Sequence, residues 1–569
     1  MIDTRLFNEG FKDRLLASTH DLGSEVGGVL VDSENFQALT FMQANYRDKI
    51  DCIYVDPPYN TDASAIIYKN DYKHSSWLSL IDNRVSASSS LMTKQGIFCM
   101  AIDDEELSEA RQLLGAHFQK TVGIVAVRSN PQSRKARGTF SPSHEYALFY
   151  GKSHESVPGS LELTAKRLAR YPKEDEKGRY SWMSFIRTGT NDRREDRPKM
   201  HFPIYVDGDN KLRIPKMAWS DDKNAYIIEE EPRVGEVAVY PIVKTSEGMI
   251  EKRWHRGHER VTDEPDEFRV RRDEAGTPSV DFKTRIDEDS TPVTWWDKNE
   301  YASSNYGAAE LKALFGTKQF DFPKALGLVV DCIRASNPKN TSTILDYFGG
   351  SGTSAHAVIN LNREDAGRRQ FILVEMGIHL DTVLLPRLKK VTFTPNWADG
   401  RPTAFASPEE AKAGPGIIKI IRLESYEDAL NNLVPRRSAR QDDLLASAEA
   451  KGADRLKEQY MLRYMLDVET RGSQSLLNVK AFADPTAYKL KVKRPGSDES
   501  REVNVDLIET FNWLIGLTVQ GIAAPQTITA EFERDTEGRL GLKGRLRQDA
   551  AGPWWFRTVN GTTPDGRRA

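Results

Sequence analysis

The sequence predicts an α/β protein whose parallel sheet is written in two pieces. Short apolar runs alternate with amphipathic helical stretches from about Val26 to Lys152, the pattern of βαβ units. The same texture returns from Tyr301 to Val391. Between them, from about Ser153 to Glu300, charges are dense and mixed, aromatics are scattered and helical periodicity is poor. That middle stretch reads as an insert.

In the first piece, "GGVLVD", "KIDCIYVD", "GIFCMAID", "TVGIVAV" and "EYALFY" are expected strands. Their near-continuous apolar character suits strands covered on both faces. "SENFQALTFMQANY", "SSWLSLIDNRVSASSSLM" and "DEELSEARQLLGAHF" are expected helices, with apolar residues recurring three and four apart. In the second piece the order is helix "AAELKALF", helix "PKALGLVVDCIRAS", strand "STILDYF", helix "TSAHAVINLN", strand "RQFILVEM" and helix "IHLDTVLLPRLKKV". The remainder holds a charged helical stretch, "RQDDLLASAEAKGADRLKEQYMLRYML", and a small mixed tail. The expected domains are 1–152 and 301–400 as two halves of one α/β domain, 153–300 as the insert, and 401–569 as a C-terminal α+β appendage.

A chain of 569 residues is too long for one core; at roughly 150 residues per domain, about three or four domains are expected. With 39% hydrophobic and 29% charged residues it reads as soluble and globular. No apolar run approaches the ~20 residues needed to span a bilayer. The start, "MIDTRLFNEGFKDRLL", mixes acids and bases and lacks the apolar core of a secretory signal. Cys52, Cys99 and Cys332 stand far apart in apolar contexts, against a disulfide framework or zinc site and in keeping with a reducing cytoplasm. The net charge is −3, so a surface for nucleic acid requires local clustering of Lys and Arg.

The stretch "DCIYVDPPYNT" stops an apolar strand at Asp56 and stiffens the following turn with Pro57 and Pro58. Ligands of an open parallel sheet sit at the carboxyl ends of its strands, which is where Asp56 falls. The Asp56 carboxylate and a proline carbonyl are two acceptors with little freedom. They suit a target that donates two hydrogens, an –NH2 group, and Tyr59 adds a flat face for stacking. An exocyclic amine on a nucleobase meets all three demands. Its lone pair is delocalised into the ring. Holding both hydrogens biases the nitrogen towards tetrahedral geometry and towards attack on an electrophilic methyl, and the carboxylate stabilises the positive charge that develops.

Downstream, "STILDYFGGSGTSAHAVI" passes from a β-rich run through Gly349, Gly350 and Gly352 into a helix. Glycine permits the tight turn and the close approach of a ligand, and the helix start offers free N–H donors. The next strand ends in Glu375, placed to take a pair of ribose hydroxyls. NAD, FAD and S-adenosylmethionine all fit this loop, which lacks the Gly-Lys-[Ser/Thr] ending of a nucleotide triphosphatase. Asp346, at the strand end, either faces a cofactor amino group or caps the turn.

"DPPYN", "DYKHSSWLSLIDNRV" and the distant "FGGSG" together resemble the amino-methyltransferases that act on DNA. The acid-first tetrapeptide resembles the enzymes that make N6-methyladenine. Its position ahead of the glycine loop, with the insert between, resembles the β class, whose Rossmann-like S-adenosylmethionine-dependent sheet is circularly permuted. "NFQALTFMQANYRDKIDCIYVDPPYNT", "GIFCMAIDDEE", "SHEYALFY", "TWWDKNEYASSNYGAAELKALFG", "FDFPKALGLVVDCI" and "SLLNVKAFADPTAYKLKV" further resemble the modification subunits of type III restriction systems.

The resemblance implies that Asp56 and the Pro57 carbonyl hold the adenine amino group and that Tyr59 stacks on the base. It implies that Phe348, Gly350 and Gly352 surround the methionine part of S-adenosylmethionine, with Glu375 on the ribose and Asp32 near the cofactor adenine. Lys324, in "FDFPK", is expected to close the methionine side of the pocket. Double-stranded DNA is the implied substrate, a homodimer the implied assembly, and a helicase-nuclease restriction subunit the implied partner, since no helicase or nuclease motif occurs in this chain. The target adenine must be flipped out of the duplex. The insert, with "RTGTNDRREDRPKMHFP", "EKRWHRGHER" and "FRVRRD", is the expected reader, and Arg193, Arg194, Arg253 and Arg256 are its candidate DNA contacts. Trp182, Trp254 and Tyr171 stack on DNA or form core. The ten histidines include no His-x-x-x-His pair and no Pro-Cys occurs. Neither metal catalysis nor thiolate attack on cytosine is therefore expected.

Overall fold

The computed structural model describes residues 2–60, 73–131, 140–161, 168–246, 248–286, 292–434, 436–447, 458–460, 468–470, 473, 486–493, 497 and 499–569. They form two compact units: Met1–Leu161 with Thr291–Ala569, and Glu162–Ser290. Most of the charged helical stretch at 440–466, and the segment 475–485, lie outside the described residues.

The first unit is built on a nine-stranded sheet. Its strands are β1 (Val26–Asp32), β2 (Ile50–Val55), β3 (Met92–Ile102), β4 (Lys120–Val127), β5 (Glu145–Gly151), β6 (Trp295–Trp296), β7 (Thr343–Asp346), β8 (Gln370–Glu375) and β9 (Ile417–Arg422). Across the sheet they run β6-β4-β5-β3-β2-β7-β8-β1-β9. β5 is antiparallel to β3 and β4; the other neighbours are parallel. The two sequence pieces thus meet twice, where β2 pairs with β7 and where β8 pairs with β1.

Alternate residues of each strand enter opposite cores, the side-chain period of a pleated strand. Leu30, Cys52, Tyr54, Cys99 and Leu373 face one side, where α4 (Leu326–Ala335), α5 (Thr353–Asp365) and α6 (Leu385–Phe393) pack through Leu328, Val358 and Leu388. Val31, Ile53, Val55, Phe98 and Val374 face the other. There α1 (Asn35–Phe41), α2 (Lys73–Ser89) and α3 (Leu107–His117) pack through Leu39, Ile81 and Leu114. Burial on both faces is why these strands read as apolar runs rather than as an alternation.

The seven strands expected from sequence are β1–β5, β7 and β8. The helix expected over 33–46 is α1 followed, after Met42, by a separate turn, Gln43–Tyr46. Two edge strands, β6 and β9, were not expected. β6 is only two residues long and shows no period; "IIKIIR" of β9 lies in the segment read as an appendage, yet it pairs in parallel with β1. The three cysteines are free and buried. Among the described residues no helix is long and apolar enough to cross a membrane.

The second unit centres on a four-stranded antiparallel sheet of Phe268–Arg272, Pro278–Arg285, Gly178–Ser184 and Lys173–Asp175. Its core gathers Phe185, Phe202, Trp254, Phe268 and Phe282. Phe185 stacks on Trp254 with ring centroids 5.0 Å apart, so Trp254 is core. Trp182 lies under the Arg269 guanidinium, 4.6 Å from its ring centroid.

Candidate active site

Four acids mark one edge of the large sheet. β2 runs into Asp56, β7 ends in Asp346, β8 in Glu375 and β1 in Asp32. These strands are consecutive neighbours, with Ile53 opposite Leu345 and Asp32 opposite Glu375. This is the carboxyl edge, where open α/β sheets bind ligands.

The Asp-Pro-Pro-Tyr turn is held from three sides. Trp77 of α2, fully buried, donates its indole N–H to the Pro58 carbonyl at 2.9 Å. Asn60 adopts a left-handed backbone, φ 62°, and donates to the wholly buried Glu106 at 2.5 Å. His74 lies 3.0 Å from the same Glu106 oxygen. On the third side Lys324 Nζ donates to Glu145 Oε2 at 2.6 Å and to the Tyr59 hydroxyl. It approaches Asp56 Oδ1 at 3.4 Å. The Tyr59 hydroxyl donates to Glu145 Oε2 at 3.0 Å.

Burial pushes the Asp56 carboxyl above the usual range, and the Lys324 ammonium pulls against it. Burial disfavours the Lys324 charge, but Asp56 and Glu145 more than offset this and leave it a firm ammonium. The Tyr59 hydroxyl is raised by burial and by both carboxylates, so it stays neutral. Lys324, expected to close the methionine side of the pocket, has its ammonium on the Asp-Pro-Pro-Tyr turn. Sequence reasoning alone does not single out Glu145, which opens strand β5. The one sign in the sequence is an acid opening an otherwise apolar strand.

The glycine loop follows β7. Asp346 Oδ1 accepts from Phe348 N at 2.9 Å, and Oδ2 from the Ser354 hydroxyl at 2.5 Å. Burial carries its carboxyl up to about 7. Gly350 and Gly352 have φ of 50° and 79°, left-handed values that glycine adopts without strain. Gly350 N donates to Glu375 Oε2 at 2.6 Å. Arg387 of α6, fully buried, donates to the Ser351 carbonyl at 3.2 Å and to the Thr353 hydroxyl at 2.8 Å. It also bonds His356 Nδ1 at 3.2 Å, an imidazole kept neutral by burial and by Arg387. Arg387 thus locks the start of α5. The β1–α1 turn joins the same edge through Asn35 Nδ2, 3.3 Å from the Tyr347 carbonyl. Phe348 and Tyr59 pack against one and the same core.

The arrangement offers a rigid pair of acceptors at Asp56-Pro57, an aromatic face at Tyr59, and a glycine cradle flanked by two strand-end carboxylates. A family model described as DNA methylase, covering N6 and N4 methyltransferases, matches residues 50–380. The chain belongs to this DNA methylase family.

Relatives of this chain include the Mod subunit of the type III restriction-modification enzyme EcoPI from Escherichia phage P1. It is 29% identical over 385 residues, covering 61% of this chain and 57% of the relative. The type II methyltransferase M.KpnI from Klebsiella pneumoniae is 30% identical over 352 residues, covering 59% and 78%. The StyLTI Mod subunit from Salmonella typhimurium is 25% identical over 378 residues, covering 61% and 52%. The chain spans about half the length of these type III relatives.

In the second unit, Arg193 and Arg256 are exposed. Arg194 pairs with Glu251 at 2.6 Å. Arg253 is only 6% exposed and donates to the Asn191 carbonyl at 2.6 Å and the Trp254 carbonyl at 3.2 Å. Burial and the neighbouring Arg187 and Arg197 ease its charge downward.

Proposed function

We propose that this chain transfers a methyl group from S-adenosylmethionine to the N6 amino group of adenine in double-stranded DNA. It acts in the cytoplasm as the modification subunit of a type III-like restriction or phage-defence system. The observation that carries the reading is the convergence of Asp56 and Gly350 of the glycine loop, 294 residues apart in sequence, on adjacent strand ends of one sheet edge.

The donor set suits the cofactor. Glu375 and Asp32 stand side by side as acceptors for ribose hydroxyls and the adenine end, and the loop through Phe348, Gly350 and Gly352 leaves room for the methionine end. A Cβ at Gly352 would meet Leu384 at 3.2 Å. The cofactor supplies an electrophilic methyl on a sulfonium. Asp56 and the Pro57 carbonyl accept the two N6 hydrogens of a flipped adenine and orient its lone pair. Trp77 holds the Pro58 carbonyl in place, so the turn does not relax. Tyr59 stacks on the base. The negative charge left at Asp56 stabilises the nitrogen as it becomes cationic.

DNA reading is assigned to the unit Glu162–Ser290, with the exposed Arg193 and Arg256 as its leading contacts. A homodimer and a separate helicase-nuclease subunit complete the proposed system. The supporting comparison is with relatives named as Mod subunits. The test is methyl incorporation into duplex DNA by the purified chain, with mapping of the modified base. N6-methyladenine in one sequence context supports the reading; 5-methylcytosine or no incorporation refutes it.

A further inference from the structure

We infer that Glu145 is a positioning residue for methyl transfer: it draws the Lys324 ammonium off Asp56 and so keeps an Asp56 oxygen open to the target amino group. This rests on the methyl-transfer reading above.

The geometry is asymmetric. Lys324 Nζ is 2.6 Å from Glu145 Oε2 but 3.4 Å from Asp56 Oδ1. Charge-assisted hydrogen bonds from an ammonium run about 2.7–2.9 Å, so the ammonium bonds Glu145 closely and Asp56 only weakly. The Tyr59 hydroxyl bonds both members of the pair, which fixes the rotation of the stacking ring. Glu145 Oε1 is buried and has no hydrogen-bond partner, a costly arrangement in a folded protein. An apolar residue here would avoid that cost, so a retained charge calls for a role.

Two carboxylates and one ammonium leave one net negative charge beside the nitrogen that turns cationic. Lys324 also keeps a buried Asp56 ionised, hence an acceptor. Without Glu145 the ammonium has Asp56 as its nearest carboxylate and settles on the oxygen the amino group needs. The groups around Asp56 are Lys324, Glu145, Tyr59, Tyr54 and Asp346. Among the described residues, only Lys324 and Glu145 exert opposite charges on it through one shared contact.

The test uses the full chain, methylating duplex DNA between pH 5.5 and 9, as wild type, Glu145→Gln, Lys324→Met and Asp56→Ala. S-adenosylmethionine affinity and melting temperature are measured for each. Glu145→Gln is expected to lower kcat at least tenfold with cofactor affinity within threefold. Its acid limb moves to lower pH, because a neighbouring negative charge is gone. Lys324→Met moves the acid limb the other way, by at least about half a unit. General loosening of the site cannot displace the limb in opposite directions. Unmoved limbs, limbs moved in one direction, or a Glu145→Gln kcat within twofold of wild type overturn the inference. If Glu145→Gln does not fold, Lys324→Met decides: an upward limb supports the inference and an unmoved one overturns it. An inactive wild type, or full activity in Asp56→Ala, brings down the methyl-transfer reading and this inference together. An active wild type, a dead Asp56→Ala and unmoved limbs bring down the role of Glu145 alone.

Discussion

Asp32 and Glu375 are register partners on neighbouring parallel strands, so two carboxylates end the sheet side by side. Burial raises both. Gly350 N–H steadies Glu375, and Arg422, 3.4 Å away, steadies Asp32. In the proposed reading Glu375 takes the ribose diol and Asp32 the adenine end of the cofactor. Glu375→Gln should weaken S-adenosylmethionine binding at least about tenfold, since hydrogen bonds to charged groups contribute roughly 1.5–3 kcal/mol. Calorimetric titration measures this, and unchanged affinity removes Glu375 from the cofactor site.

Gly352 is the position where any side chain meets two obstacles. Its φ of 79° disfavours L residues, a penalty of roughly 1–2 kcal/mol, and a Cβ would crowd Leu384 at 3.2 Å. Gly352→Asp also brings a negative charge to the start of α5, close to Asp346. The variant should lose detectable cofactor binding by the same titration; wild-type affinity would show that the loop is not the cradle.

Asp346 sets a pH dependence of stability. Its carboxyl lies near 3.8 in the unfolded chain and at about 7 in the fold. The folded state therefore holds the proton more tightly. The contribution is fully present in acid and is lost as pH rises towards and through about 7. Asp346→Asn has no such proton to lose. Its melting temperature relative to wild type should rise between pH 5 and pH 8. A constant difference across that range would mean that Asp346 ionises as freely as in the unfolded chain.

Much of this was legible in the sequence because burial writes itself into composition. β1, β2, β3 and β8 are covered on both faces over most of their length, so each contains an apolar run that stops at an acid. Asp56 and the glycine loop were readable because proline and glycine constrain backbone in ways few other residues do. What stayed hidden is long-range. Nothing local in "SHEYALFY" says that Glu145 reaches Lys324 and Tyr59, and nothing near Arg387 says that it locks the start of α5. Edge strands such as "IIKIIR" carry no signal of which sheet they join. Among the four arginines, Arg253 shows why charge in a sequence is ambiguous. Its guanidinium serves backbone carbonyls inside the unit Glu162–Ser290, while Arg193 and Arg256 remain exposed.

Those two exposed arginines give a salt-dependence prediction. Each phosphate neutralised contributes about −0.9 to the slope of log K against log salt. The double variant Arg193→Ala, Arg256→Ala should bind DNA more weakly and with a slope reduced by about one to two. Cofactor affinity should not change. Fluorescence anisotropy between low and moderate salt reads the slope, and a slope equal to wild type assigns DNA contact elsewhere.

The most direct measurement compares wild type with Asp56→Ala for transfer of a labelled methyl group to duplex DNA, beside cofactor titration of both. Loss of the acceptor should reduce the rate by at least about 100-fold, the scale of removing one transition-state charge partner, while S-adenosylmethionine binds both proteins equally and the wild-type product is N6-methyladenine. Transfer by the alanine variant at the wild-type rate would show that Asp56 does not hold the reacting amine.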